Sequence, residues 1–69
     1  MKLSARNILP GKVRDVKKGA TTAHVRIELK GGAMVTASIT NEAVDELALK
    51  PGDAAFAVVK ASDVIVGKE

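Results

Sequence analysis

Thr22-Ala23-His24-Val25-Arg26-Ile27-Glu28-Leu29 alternates polar and apolar side chains without a break. Successive side chains of a strand point to opposite faces, so Ala23, Val25, Ile27 and Leu29 share one face and Thr22, His24, Arg26 and Glu28 the other, as in a half-buried strand. Lys30-Gly31-Gly32 then supplies a hairpin turn, and residues 34–39 read as the returning strand. Upstream, Val13 and Val16 are mixed with Lys12, Arg14 and Asp15 after a Pro10-Gly11 turn signal, so residues 8–16 read as a first strand with a bend or bulge. Lys17-Lys18-Gly19 closes the turn into the second strand.

At Thr40 the period changes. Ala43, Val44, Leu47 and Ala48 recur at helical spacing, Glu42, Asp45 and Glu46 face away, and Thr40 or Asn41 is a competent N-cap for a two-turn helix. Lys50-Pro51-Gly52-Asp53 ends that helix. Residues 54–60 read as a fourth, nearly continuous apolar strand and residues 64–66 as a short fifth. The predicted fold is all-β, a five-stranded OB-like small barrel with one short helix between strands 3 and 4. No repeat or low-complexity segment interrupts it, so a single domain over residues 1–69 is expected.

The core available to this fold is thin. Eleven of the apolar residues are Ala, which leaves 21 larger ones, with Phe56 the single aromatic, to offset an ordering cost of roughly 1–2 kcal/mol per residue. There is no Cys for a disulfide, and one His without Cys excludes a structural zinc site. Such a chain commonly completes its core by self-association. Met1-Lys2-Leu3 runs into Ser4 and Arg6 with no apolar leader, and the run 54–59 is far too short to span a membrane, so a cytoplasmic protein with no membrane partner is expected. Net charge is +3, unevenly placed: residues 1–30 carry eight Lys/Arg against two acids, residues 31–69 three against six. The basic half suits an anionic partner.

Ser4-Ala5-Arg6-Asn7 concentrates a hydroxyl, a guanidinium and an amide, and reads as one wall of an oxyanion site. Two further places could converge on the same anion: the helix start at Thr40, and Lys60-Ala61-Ser62 at the end of the fourth strand. The ordinary alternatives are that Ser4 and Asn7 make turn hydrogen bonds, Thr40 is a plain cap, Lys60 snorkels at a sheet edge and Ser62 is a turn residue. Glu42, in the first helical turn, opposes an anion unless it points to solvent.

The order and spacing of Ser4-Ala5-Arg6-Asn7, Gly11-Lys12-Val13, Lys18-Gly19, Gly31-Gly32, Ile39-Thr40, Leu49-Lys50-Pro51-Gly52-Asp53 and Lys60-Ala61-Ser62 resemble the molbindins, small molybdate-binding proteins of the Mop or TOBE type. The resemblance runs from Ser4 to about Gly67. It implies molybdate, or tungstate, held by hydrogen bonds and charge without direct bonds to the metal, for storage, buffering or homeostasis. Carried over residue by residue, it implies Ser4, Arg6, Thr40 and Lys60 as the lining, with Ala5, Ala43 and Ala61 offering only backbone N–H groups. Some relatives have a serine where Ala43 stands. Asn7 and Ser62 complete the candidate set, and Lys18-Gly19-Ala20 is the candidate for a second class of anion site. The thin core and the terminal position of residues 4–7 place the expected sites at subunit interfaces, where an anion would bridge Arg6 and Lys60 if two chains complete one site; the resemblance supplies the number of copies, a homohexamer.

Four arginine, serine, threonine and lysine side chains plus backbone groups match the needs of a tetrahedral dianion, which requires many donors and about two compensating charges when desolvated. An OB-fold nucleic-acid module is the alternative. Single-strand readers stack bases on exposed aromatics, whereas this chain has only Phe56, expected in the core. His24, on the polar face of its strand, reads as a solvated or interface residue. No nucleophile stands beside a base and no phosphate loop is present, so an enzyme is not expected. Related modules end transporter ATPases and molybdate-responsive regulators; with neither an ATPase nor a helix-turn-helix here, a stand-alone binder is favoured.

Overall fold

The computed structural model describes all residues 1–69, as four strands, β1 (Asn7–Lys18), β2 (Thr22–Leu29), β3 (Met34–Thr40) and β4 (Ala54–Val59), a helix α1 (Asn41–Leu47) between β3 and β4, and a 3₁₀ turn at Ala61–Asp63. The strands form one antiparallel sheet in the order β3-β2-β1-β4. β1 is therefore shared: its first half pairs with β4, from Asn7 opposite Val59 to Lys12 opposite Ala54, and from Gly11 onward it pairs with β2.

Two features of β1 depart from a regular strand. The register slips between Val13 and Asp15, leaving Arg14 as the extra residue of a bulge. Val13 and Val16 are an odd number of residues apart, so strict alternation would send one of them to solvent; the extra residue returns both to the core side, where Val13 is buried and Val16 packs on the cluster. Pro10-Gly11, a turn signal within the expected strand 8–16, lies inside β1 without interrupting it, Pro10 opposite Phe56 and Gly11 opposite both Leu29 and Ala55, and the expected bulge falls at Arg14. Proline is tolerated there because β2 has not yet begun to pair, so one side of β1 needs no donor. Glycine is demanded there, since a Cβ on residue 11 would sit 2.5 Å from the Glu28 carbonyl oxygen and 2.8 Å from Ile27 Cγ2.

The core is six residues, Val13, Ala23, Val25, Ile27, Val44 and Ala57, with no buried polar side chain among them. β2 contributes three, as its alternation requires, and Val44 is the one plug supplied by α1. The helix starts where Thr40, in extended conformation, accepts the Ala43 N–H on Oγ1 at 3.0 Å, and it stops at Ala48, which takes the left-handed conformation with φ 50°. A tight turn follows. The Lys50 N–H and Nζ both donate to the Asp53 carboxylate at 3.0 Å, and Gly52 has φ 94°. That turn is clipped to the bulge: Val13 N–H donates to Asp53 O at 2.9 Å and Gly52 N–H to Val13 O at 2.8 Å.

The sheet is mostly as expected, but it has four strands and not five. Residues 64–66 pair with nothing in the chain, and Val64, Ile65 and Val66 are 51%, 94% and 88% exposed. With β3 and β4 as open edges, the sheet curls without closing, and a three-residue segment finds no partner for its backbone groups. Phe56, expected in the core, is 55% exposed: Ala55 and Ala57 take the inward positions of β4, so Phe56 falls on the outer face. No helix is long and apolar enough to cross a membrane.

Gly11→Ala should cost about 1–3 kcal/mol in urea unfolding, because the new methyl meets backbone and not a movable side-chain tip. Asp53 gives a pH signature. The hydrogen bond from the Lys50 side chain, then that from its backbone N–H, hold the carboxyl below its ordinary 3.8. A lowered native pKa means that the contribution is complete above the unfolded value and is lost as pH falls through the native one. The stability gap between wild type and Asp53→Asn should therefore be constant near neutrality and close below about pH 3.8.

Candidate oxyanion site

The β1–β4 ladder determines which candidate residues meet. Asn7 pairs with Val59 in the ladder, and its side-chain Nδ2 also donates to the Val59 carbonyl at 3.1 Å. Asn7 is thus a fastener, and the antiparallel register continued by one residue sets Arg6 beside Lys60. Ser4, Ala5 and Arg6 and the Lys60-Ala61-Ser62 segment come together at this end of β1. Ser4, Arg6, Lys60, Ala61 and Ser62 are exposed and Ala5 half-buried. The side-chain ion pairs of the chain are Arg14–Glu28, Lys18–Asp45, Arg26–Asp15 and Lys50–Asp53, so Arg6 and Lys60 are uncommitted. In the 3₁₀ turn the Asp63 and Val64 N–H groups bond the Lys60 and Ala61 carbonyls, while the first N–H groups of such a turn, those of Ala61 and Ser62, lack backbone partners. Two cations, two hydroxyls and free N–H groups within a few residues make a donor-rich corner, in which Asp63 of the 3₁₀ turn is the one carboxylate of the segment.

Thr40 is at the other end. It stands opposite Thr22, one step beyond the Lys18–Ala23 pair that finishes β1. Here the structure gathers Thr40, Ala43, Lys18, Gly19 and Ala20, tied by Asn41, whose Nδ2 donates to Gly19 O at 3.0 Å and whose backbone N–H donates to Thr21 O at 3.0 Å. The Asn41 Oδ1 is buried without a partner. Lys18 is engaged by Asp45 on α1, so its charge is already balanced. Thr40 Oγ1 accepts from Ala43 N–H, which leaves the Thr40 hydroxyl hydrogen free to donate and removes the Ala43 N–H from the donors available to a ligand. The suggested second-site segment and the Thr40 wall are therefore one surface, and it is poor in free positive charge.

A site needing Arg6, Lys60 and Thr40 together is split along a strand of 12 residues. At about 3.3 Å per residue that is some 36 Å of contour, so a bent strand must bring the halves together or a second chain must supply one of them. Asn41 stands in the sequence as an alternative cap to Thr40; the structure gives the cap to Thr40 and shows Asn41 instead fastening the turn at Gly19, a role no local signal carried.

Residues 3–66 match the TOBE domain family. The chain belongs to that family. As a TOBE domain it is 47% identical over 66 residues to molybdenum-pterin-binding protein 2 of Clostridium pasteurianum, covering 96% of this chain and 97% of that one. The same TOBE fold recurs in a molybdate-binding protein from Sporomusa ovata, at 40% identity and TM-score 0.93 over 99% of this chain and all of that chain. It recurs again in the cytoplasmic molybdate-binding protein ModG with molybdate bound, at 54% identity and TM-score 0.91, covering 94% of this chain and 46% of that chain. These relatives are binding proteins.

Asn7→Ala should loosen the cationic corner without disturbing β2 or β3. Hydrogen exchange should quicken at residues 4–8 and at Lys60, and stability should fall by about 1 kcal/mol, the value of one hydrogen bond.

Proposed function

We propose that this TOBE domain, a single unit spanning residues 1–69, binds molybdate, and tungstate, as an intracellular store or buffer, acting as a binder and not as an enzyme. The observation that carries this is the pairing of two uncommitted cations, Arg6 and Lys60, with the Ser4 and Ser62 hydroxyls and free N–H groups at one end of β1, in a chain whose relatives bind molybdate. A tetrahedral dianion placed there relieves the repulsion between the two cations and takes charge-assisted hydrogen bonds.

The split along β1 supports a site at a subunit interface. One chain supplies Ser4, Ala5, Arg6 and the Lys60-Ala61-Ser62 segment, held by Asn7. Another supplies the Thr40 hydroxyl, with Ala43 nearby and Lys18, Gly19 and Ala20 behind it, and a second anion class belongs to that second surface. A homo-oligomer follows, and six copies is the number that the molbindin resemblance implies. The exposed Phe56 reopens nucleic-acid binding only slightly, because one ring is not a stacking platform.

Calorimetric titration with molybdate, tungstate, sulfate and phosphate tests this reading. Molybdate and tungstate should bind far more tightly than sulfate, since donors spaced for a larger anion are left unpaired by a smaller one. Arg6→Ala should weaken molybdate binding by more than about 1 kcal/mol, and Arg6→Lys should restore only part of it. Equal affinity for sulfate, or an unchanged Arg6→Ala, would defeat the assignment.

A further inference from the structure

Where β1 begins to pair with β2, the end of β2 and its hairpin leave a cleft of about 560 Å³ lined by residues 10–12 and 28–32. It lies apart from both halves of the oxyanion site. Lys12 is about 20 Å along β1 from Arg6, and the hairpin is at the end of β2 away from the Thr22–Thr40 pair. Glycine shapes its walls. Gly31 and Gly32 turn the chain with φ of 94° and 97°, and on the β1 side residue 11 can carry no side chain, so a ligand there meets bare backbone.

We propose that this cleft binds the phosphate group of a phosphorylated small molecule, whose organic part lies on Pro10 and Leu29. Charge is the first support. Lys12 and Lys30 line the cleft, both are exposed, and neither is in an ion pair. The one carboxylate of the lining, that of Glu28, accepts from Arg14 Nε at 3.0 Å, so its charge is answered from outside the cleft and the two lysines are left uncompensated. A phosphomonoester carries about −1.5 to −2 at neutral pH, and lysine serves it as a point charge.

Backbone donors are the second support. In the hairpin the Leu29 and Gly32 N–H groups are spent on the Ala33 and Leu29 carbonyls at 2.7 and 3.0 Å, whereas the Lys30 and Gly31 N–H groups donate to no backbone carbonyl. Two successive N–H groups beside two ammonium groups form an acceptor-binding concavity. Size is the third. The volume falls within the roughly 300–1,000 Å³ of small-molecule sites and exceeds what a bare tetrahedral anion fills, so the phosphate brings an organic body with it.

The test titrates the full chain with adenosine monophosphate, ribose phosphate, adenosine and inorganic phosphate at constant ionic strength, followed through the backbone amide NMR resonances. Both esters should shift the amides of Lys12, Lys30 and Gly31, inorganic phosphate should bind more weakly at the same amides, and adenosine should leave them unmoved. Lys12→Gln and Lys30→Gln should each weaken ester binding by about fivefold or more. Glu28→Gln, which removes the carboxylate of the lining and frees Arg14, should strengthen it by about threefold. Molybdate affinity should be the same in both lysine variants as in wild type. Esters that shift only residues 4–7 and 60–62, adenosine binding as well as its monophosphate, unaffected lysine variants, or weaker binding in Glu28→Gln would overturn the phosphate cleft. Inorganic phosphate binding as tightly as the esters would overturn the part given to Pro10 and Leu29, and lysine variants that lose molybdate as well would overturn its separation from the oxyanion corner. A chain that takes the esters here and binds no molybdate would overturn the oxyanion reading alone.

Discussion

Everything in this fold depends on β1 being able to hold β2 and β4 at once. That double pairing requires the β2 backbone to approach residue 11 closely enough to forbid a side chain, and it requires the bulge at Arg14 to keep Val13 and Val16 inside. The bulge is held from the far side by the turn after α1, through both backbone groups of Val13. Helix, turn and central strand are thus one mechanical unit although they are far apart in sequence. Remove the glycine or the clip and the order β3-β2-β1-β4 loses its centre.

The same ladder explains why the candidate site is divided. Antiparallel pairing delivers the N-terminus to the end of β4, so Arg6 and Lys60 are neighbours as a consequence of register and not of any attraction between them. Two like charges on one rim, neither in an ion pair, are an electrostatic cost that an anion offsets. At the opposite end of β1, the Lys18–Asp45 pair and the Asn41 hydrogen bonds close the turn onto the helix, and the Thr40 hydroxyl hydrogen is left free to donate. The asymmetry of the two ends, one uncompensated and one self-satisfied, is what makes the chain read as half of a site repeated.

Where side-chain period and local capping decide the outcome, the sequence was informative: β2, the hairpin after it, Thr40 as a cap and the turn at Lys50–Asp53 all stand as read. The misreadings share one cause, which is that they depended on partners distant in the chain. Phe56 looks like core by composition, but the parity of β4 against β1 decides its face. Residues 64–66 have strand character and no neighbour to express it. The family motifs named the candidate residues, but only the register showed that they fall into two groups.

With six residues buried, a separated chain has little apolar surface to expose when it unfolds. Its heat-capacity change should accordingly fall short of the ~12–15 cal/mol/K per residue typical of folded domains, and its thermal transition should be broad. A sharp, calorimetrically large transition from this protein would therefore report surface buried between copies rather than within one. The shape of the melting curve, independently of its midpoint, tests whether the molecule completes its core with surface from a neighbour.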